Sequence, residues 1–377
     1  MKNTIYKYAV VGAGICGSSV VYELTRRTQE KVLLIDKNSN IAQGASGAAG
    51  AFLSPLLGKP NLFKDLVTQS LRYTTKLYKQ SFANVISACG TTRIPQNQED
   101  EKKFQEYIPY MDFPFTKDQL GYFFSVGTVV NSVGVCKMMC NSFSQIKNNL
   151  DTLFDYEVKQ IEYDCEKSYW KIDDTIFVQH LIITTGHEIE LLKEPYLRIR
   201  PVWGRRIDIT TTTKIDHNYH KECSVSKSFP IDSHLNRVSI GATHHRVYED
   251  ILNAKADYDL LLQRANDIVK LEEIKIVKEY VGARSCSEDY FPMVGKVIDS
   301  VKTLQEFGYM RNGTHVNPTR FSRYENLYIL NGVGGRGFVL APYLAKTLVD
   351  SILLDKPIDE SLTIDRLFLR DVKRKKI

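Results

Sequence analysis

The stretch IYKYAVVGAGICGSSVVYEL, residues 5–24, sets the reading of everything around it. Residues 5–12 suit a buried strand that runs into a glycine turn. Gly12, Gly14 and Gly17 then fall at the spacing G-x-G-x-x-G, and Val20, Val21 and Leu24 follow on what should be one face of a helix. Residues 32–35 predict a second apolar strand, ending at Asp36. That succession predicts a dinucleotide cradle. Gly12 permits the tight turn, Gly14 lets the backbone come up to a pyrophosphate, and Gly17 lets helix and strand pack closely. The helix N-terminus offers free N–H groups and partial positive charge to the phosphates. Asp36, nineteen residues past Gly17, stands where a carboxylate accepts hydrogen bonds from a ribose hydroxyl.

A second small-residue patch, Gly44-Ala45-Ser46-Gly47-Ala48-Ala49-Gly50, follows almost at once. Its backbone amides and the Ser46 hydroxyl are open for a bulky cofactor to lie against. A flexible loop is the alternative, but the patch runs straight into the apolar Phe52-Leu53-Ser54-Pro55-Leu56-Leu57. A nicotinamide has no general need of such a patch; a flavin dinucleotide, buried along its whole length, does. Far down the chain, residues 326–337 read NLYILNGVGGRG. A short strand there meets Gly332, Gly334, Gly335 and Gly337, and a helix is expected from near Pro342, with Leu344, Leu348 and Ile352 on one face. Its N-terminus suits the negative charge that develops on a reduced flavin ring. Residues 179–187 predict one more buried strand ending on small residues. Val158, within the strand-like 156–163, can offer backbone groups to an adenine or stand as a plain core valine.

The middle of the chain has a different character. Residues 200–213 predict a strand, 223–230 and 237–243 a hairpin around 232–236, 249–272 a helix and 275–281 a further strand. Such strands point to an antiparallel sheet facing the cofactor. With 377 residues, 43% apolar and 25% charged, the chain can bury a large core in two interleaved domains. Its seven cysteines are scattered and form no C-x-x-C pair, which argues against a disulfide framework and a structural zinc; no metal is expected. A net charge of +6 permits an anionic macromolecular substrate without demanding one. No run of about 18 apolar residues marks a membrane span. The first residues lack the pattern of a signal peptide, so a cytoplasmic protein is expected, with no membrane partner.

Residues 281–295, VGARSCSEDYFPMVG, follow neither a helical nor a strand period. Together with the glycine turns they resemble the segment G-x-R-P-x-x-x-D-x-x-P-x-x-G of the FAD-dependent D-amino-acid oxidase superfamily, which includes glycine and sarcosine oxidases. Gly282, Arg284, Asp289, Pro292 and Gly295 are the matching positions. The resemblance implies an α/β fold. Its FAD-binding, Rossmann-like domain of the glutathione-reductase type would be discontinuous over 1–85, 150–200 and 285–377. An inserted substrate domain of mainly antiparallel β-sheet plus helices would occupy 86–149 and 201–284. FAD is the implied cofactor. Its implied contacts are Gly12, Gly14, Ile15, Gly17, Asp36 and Lys37, then Ala45, Ser46, Gly47 and Gly50. Val158, Thr185 and Gly186 follow, with Gly334, Gly335, Arg336, Gly337 and Phe338 at the far end. Arg284 becomes the catalytic residue, binding with Arg336 the carboxylate of an amino-acid-like substrate through its bidentate fork. A structural ion pair with a neighbouring acid is the other reading of Arg284.

A nearer likeness is to the oxidase half of the bifunctional bacterial enzymes that make 5-methylaminomethyl-2-thiouridine in tRNA. Residues 50–57, Thr185-Gly186-His187, 200–204, Gly241-Ala242-Thr243, 284–295, 335–342 and 366–370 carry it, so it spans nearly the whole chain. Trp203 and Glu288 depart from the pattern. The likeness implies a tRNA wobble uridine bearing –CH2–NH–CH2–COO⁻ as substrate. Molecular oxygen would be the electron acceptor, and the aminomethyl base and glyoxylate the products. Because the dinucleotide motif begins at residue 12, the methyltransferase half of those enzymes is expected on a separate partner. A free-standing glycine, sarcosine or D-amino-acid oxidase, and a flavoprotein that oxidises no amine, are the rival readings. Arg198, Arg200, Arg205, Arg206 and the tail Lys373-Arg374-Lys375-Lys376 are candidate phosphate contacts, although a solvated chain end explains the tail equally.

Overall fold

The computed structural model describes residues 5–374, so Lys375 and Lys376 of the basic tail lie outside the described residues. Five strands form a parallel core in the order Leu150–Leu153, Val32–Ile35, Ile5–Val11, Ile176–Ile183 and Arg323–Asn331. Val32–Ile35 is apolar throughout because both faces of the sheet are covered there. On one face lie the helices Ile15–Arg27, Leu62–Ser81, Ser132–Lys147 and Gly337–Leu354, packed through Val20, Leu24, Leu71, Met139, Leu344 and Leu348. On the other lie Trp170, Phe307, Phe321 and Phe368, the last from the helix Asp365–Arg374. Gly12, Asp36, Thr184 and Gly332 all leave the sheet at the carboxyl ends of parallel strands, where open α/β sheets bind ligands.

The helix at the second glycine cluster begins at Gly337, five residues ahead of the expected start near Pro342. Pro342 therefore sits inside it, and its missing N–H would orphan the carbonyl of Phe338. The Tyr78 hydroxyl of helix 62–81 donates to that carbonyl at 3.1 Å, and the Thr74 hydroxyl donates to the next one, Val339, at 2.8 Å. Tyr78 is fully buried. Tyr78→Phe should therefore leave the Phe338 carbonyl without that partner and cost about 1–3 kcal/mol, read as a lower urea midpoint with an unchanged slope. Residues 334–354 are long and apolar enough to cross a membrane by composition, but this helix packs against helices 15–27 and 62–81 in the core.

A second, nine-stranded and mainly antiparallel sheet carries the rest. Its centre is the 13-residue pair Ile199–Thr211 and Lys275–Ser287, with Val202 opposite Arg284. Residues 281–287 thus do have strand structure, and the irregular part of the segment is only the turn at 288–292. The hairpin forms as expected, Phe229 pairing with Arg237 and Pro230 with Asn236. The helix expected over 249–272 breaks at Asn253 into a short turn, Glu249–Leu252, and the helix Ala254–Asn266. The Asn253 side chain accepts from Ala256 N–H and caps the second piece. Segment 86–149 divides between the two bodies. Thr91–Arg93, Phe115–Lys117 and Tyr122–Phe124 join the second sheet, whereas helix 132–147 packs on helix 15–27. The apolar Val135, Cys136, Met139 and Cys140 explain this, since they recur on one face that the nucleotide layer buries.

Candidate functional site

Gly12 turns the first strand at φ +108°, a conformation that side chains rarely adopt. A Cβ on Gly17 would lie 1.8 Å from the carbonyl oxygen of Gly12, so the helix can rest on the turn only as glycine. Above this contact the Ile15 N–H donates to the Ser46 hydroxyl at 2.9 Å, which brings the second small-residue patch onto the helix N-terminus. The patch is a single helical turn, Ala45–Ala48, rather than an open loop. The end of strand 275–287 lies directly on it: a Cβ at Gly282 would stand 2.9 Å from the Ala45 Cα. The Asp36 carboxylate accepts from Ala13 N–H at 2.6 Å and from both nitrogens of Asn38 at 2.8 Å. Four lone-pair sites leave it capacity for a further donor.

These parts surround one cavity of about 920 Å³, at the upper end of small-molecule and cofactor sites. Gly12, Gly14, Ile15, Asp36, Lys37, Ala45, Ser46 and Gly50 line it, as do Val158, Thr185 and Gly186. So do Gly334, Gly335, Arg336, Gly337, Phe338 and Arg284. Two of the sequence-assigned residues do not. Gly17 is spent on helix–strand packing, and Gly47 on packing against Ala42, whose carbonyl a Cβ would meet at 2.0 Å. Lys37 borders the cavity while its ammonium pairs with Glu188 at 2.6 Å. Val158 borders the cavity and packs on the core beneath. The strand expected over 156–163 does not reach it: the strand begins at Ile161 and runs to Asp164, and Val158 lies in the loop before it.

Arg284 has no acid against it. Its Nη1 donates to the carbonyls of Thr243 at 3.2 Å, Trp203 at 3.4 Å and Val202 at 3.5 Å, and burial holds its pKa below the usual arginine value. The ion-pair reading therefore has no partner among the described residues. Arg336 donates to the Ser54 carbonyl at 3.3 Å, and burial lowers it to about 10. Sequence reading missed Arg93. It donates to the Pro55 carbonyl at 3.0 Å and the Ser54 hydroxyl at 3.4 Å, and its buried Nε has no partner. Burial, then the charge of Arg336, lowers it to about 9. All three stay charged at neutral pH, facing one cavity. Two histidines of the same wall were also missed. His244 is lowered to about 4 by burial and then by Arg284, and His220 is held well below its usual value by burial and then by Arg93. Both are neutral at pH 7, so the arginines set the sign of the cavity end they share.

Other predicted contacts are committed elsewhere. Arg205 is buried and paired with Asp257 at 3.1 Å and with Glu279, and Arg206 is buried and paired with Asp208 at 2.9 Å. Both therefore drop out as phosphate contacts: as neighbours in one strand they point to opposite faces, and both faces are covered there. Asp289 is held by Arg366 at 2.9 Å, tying the turn 288–292 to helix 365–374. Glu288 gathers three arginines beside it. Arg198 approaches at 3.6 Å, Arg374 at 2.6 Å, and Arg200 donates to its carbonyl at 2.6 Å.

Comparison with known proteins agrees with this architecture. The family model described as FAD dependent oxidoreductase, DAO, matches residues 7–351. The tRNA 5-methylaminomethyl-2-thiouridine biosynthesis bifunctional protein MnmC of Shewanella amazonensis is 24% identical over 98% of this chain, which spans 60% of that relative's length. Among solved structures, glycine oxidase from Geobacillus kaustophilus superimposes with a TM-score of 0.73 at 18% identity, covering 96% of this chain and 99% of that one. Iminodiacetate oxidase from Chelativorans sp. BNC1 gives 0.69 at 17% identity, with 95% and 98% covered. The glycine turns, the carboxyl-end position and the size of the cavity fit FAD, and the chain belongs to the DAO family of FAD-dependent oxidoreductases.

Proposed function

We propose that the chain oxidises a glycine-like secondary amine, and that its substrate is the carboxymethylaminomethyl group of a tRNA wobble uridine. The observation that carries the first part is Arg284: a guanidinium buried against the second sheet, bordering the cofactor cavity, with three carbonyls and no carboxylate around it. A buried, unneutralised cation calls for an anion from the ligand. The second part rests on likeness to the bifunctional tRNA enzymes and on the surface near Tyr290. This tyrosine borders the cavity, is 58% exposed, and has Arg200 over its ring at 5.4 Å. Arginine and aromatic faces of this kind stack unpaired bases, and the neighbouring Arg198 and Arg374, paired here with Asp371 and Glu288, would exchange those partners for phosphates.

FAD would rest between Gly12, Gly14, Ile15, Asp36, residues 45–46 and 48–50, Val158, residues 185–186 and residues 334–338. When bound it takes up the two electrons of the substrate CH–NH bond. The protein does the rest. Arg284 grips the carboxylate and thereby fixes which carbon is presented. The amine enters as the neutral base, so no side chain has to take its proton. Water then splits the substrate imine. With dioxygen as acceptor the balance is R–CH2–NH–CH2–COO⁻ + O2 + H2O giving R–CH2–NH2, glyoxylate and hydrogen peroxide. A methyltransferase would then act on the aminomethyl product.

Peroxide release with tRNA bearing the carboxymethylaminomethyl group, set beside glycine, sarcosine and D-alanine, tests the assignment. Turnover of the small amines alone would return the protein to the free-standing oxidases. If phosphates are held near Tyr290, tRNA affinity should fall at least about tenfold between 50 and 200 mM salt. A flat salt response would contradict a polyanionic substrate.

A further inference from the structure

Arg336 and Arg284 were expected to share one carboxylate, but their guanidinium groups rest on different supports. Arg284 leans on the carbonyls of residues 202, 203 and 243, whereas Arg336 and Arg93 converge on Ser54 and Pro55. Arg93 comes from the second sheet, away from the glycine turns. His220 stands beside it in register on the neighbouring strand, and both border the cavity. The Arg93 Nε is buried and unpartnered. The nearest acid in sequence, Glu99, pairs with Lys103 at 2.7 Å, the next, Asp100, accepts from the N–H of Gln96 at 3.0 Å, and Glu222 on the cavity wall is held by Arg264 at 3.0 Å. Two like charges bordering one void, with no acid paired to either among the described residues, make an anion site in need of its anion.

We propose that Arg93 and Arg336 form a second anion subsite, so that the substrate is a secondary amine bearing two acidic groups. One carboxylate lies on Arg284, and the other anion, a carboxylate or a phosphate, lies on Arg93 and Arg336. This rests on the amine-oxidase reading above and sharpens it, because a simple N-methyl amino acid fills only one of the two subsites. A dicarboxylated amine supplies the second group directly, and a nucleotide supplies it through its phosphate.

Calorimetric titration of the flavin-loaded protein with matched, non-oxidisable pairs tests this. Diglycolate against methoxyacetate compares two carboxylates with one on the same ether frame. 5-Carboxymethyluridine 5′-phosphate against its nucleoside compares carboxylate plus phosphate with carboxylate alone. At least one dianion should bind about tenfold or more tightly than its monoanionic partner. Which pair shows the preference separates the carboxylate source from the phosphate source. The ratio should collapse to near unity in Arg93→Leu and recover in part in Arg93→Lys, which keeps the charge. Equal affinities within both pairs, or a ratio that survives Arg93→Leu, would overturn the subsite. Peroxide assays on the same preparation keep the two claims apart. Amine turnover without dianion preference removes only the subsite, and preference without any amine turnover removes only the oxidase reading.

Discussion

Replacing Arg284 with methionine is expected to lower kcat/KM for a carboxylated amine by about two orders of magnitude or more, mostly through KM, while FAD stays bound. The size follows from its surroundings. Removing one partner of a desolvated, hydrogen-bonded charge pair costs about 2–5 kcal/mol, much of it the penalty of leaving the other charge unpaired. Here the unpaired charge would be the substrate carboxylate. The three carbonyls that hold Arg284 at 3.2–3.5 Å would face methionine instead, which can neither donate nor attract an anion. Arg284→Lys should recover only part of the loss, since an ammonium is a point charge without the planar fork. Steady-state kinetics with peroxide detection, alongside the flavin absorbance of each preparation, read both quantities. A KM within twofold of the unmodified protein would take Arg284 out of the site.

The second large effect lies at the other end of the cavity. Gly17→Ala places a methyl group 1.8 Å from the carbonyl oxygen of Gly12 and 2.8 Å from the Thr184 hydroxyl. The first is backbone, so helix 15–27 must move away from its strand, at an overpacking cost of about 1–3 kcal/mol. The displacement takes the Ile15 N–H away from the Ser46 hydroxyl and spoils the spacing that phosphates would meet. Flavin content after purification is expected to fall at least about tenfold, with a lower urea midpoint. Gly14→Ala is the informative comparison. Its Cβ meets only the Ser46 side chain, at 3.0 Å to the hydroxyl, which can shift by loosening its bond from the Ile15 N–H without moving backbone. That variant should lower the urea midpoint less than Gly17→Ala does, while still losing flavin affinity. Full flavin occupancy in Gly17→Ala would contradict the cradle.

The parts of the site that were legible in sequence are local ones. Gly12, Gly14 and Gly17 declare themselves by spacing, because turn, backbone approach and helix packing are settled within six residues. The strands at 5–11, 32–35 and 176–183 are readable from Tyr8–Val11, Val32–Ile35 and Leu181–Ile183, where apolar residues are buried in unbroken runs. Arg284 was reachable only through its motif. Arg93, His220 and His244 were not reachable, because a parallel pairing across 127 residues sets His220 beside Arg93 and no local pattern encodes that register. The same limit explains the burial of Arg205 and Arg206: their buried partners Asp257 and Asp208 belong to folded geometry rather than to composition. Pro342 misled for a related reason. A proline reads as a first-turn residue until a distant tyrosine, Tyr78, is seen to satisfy the carbonyl it frees.

Anaerobic mixing of the flavin-loaded protein with tRNA carrying carboxymethylaminomethyluridine tests the central claim most directly. The account predicts that the flavin absorbance bleaches, that one glyoxylate appears per flavin, and that the treated tRNA yields aminomethyl nucleoside. Absorbance that stays unchanged with this tRNA and with every carboxylated secondary amine offered would contradict it.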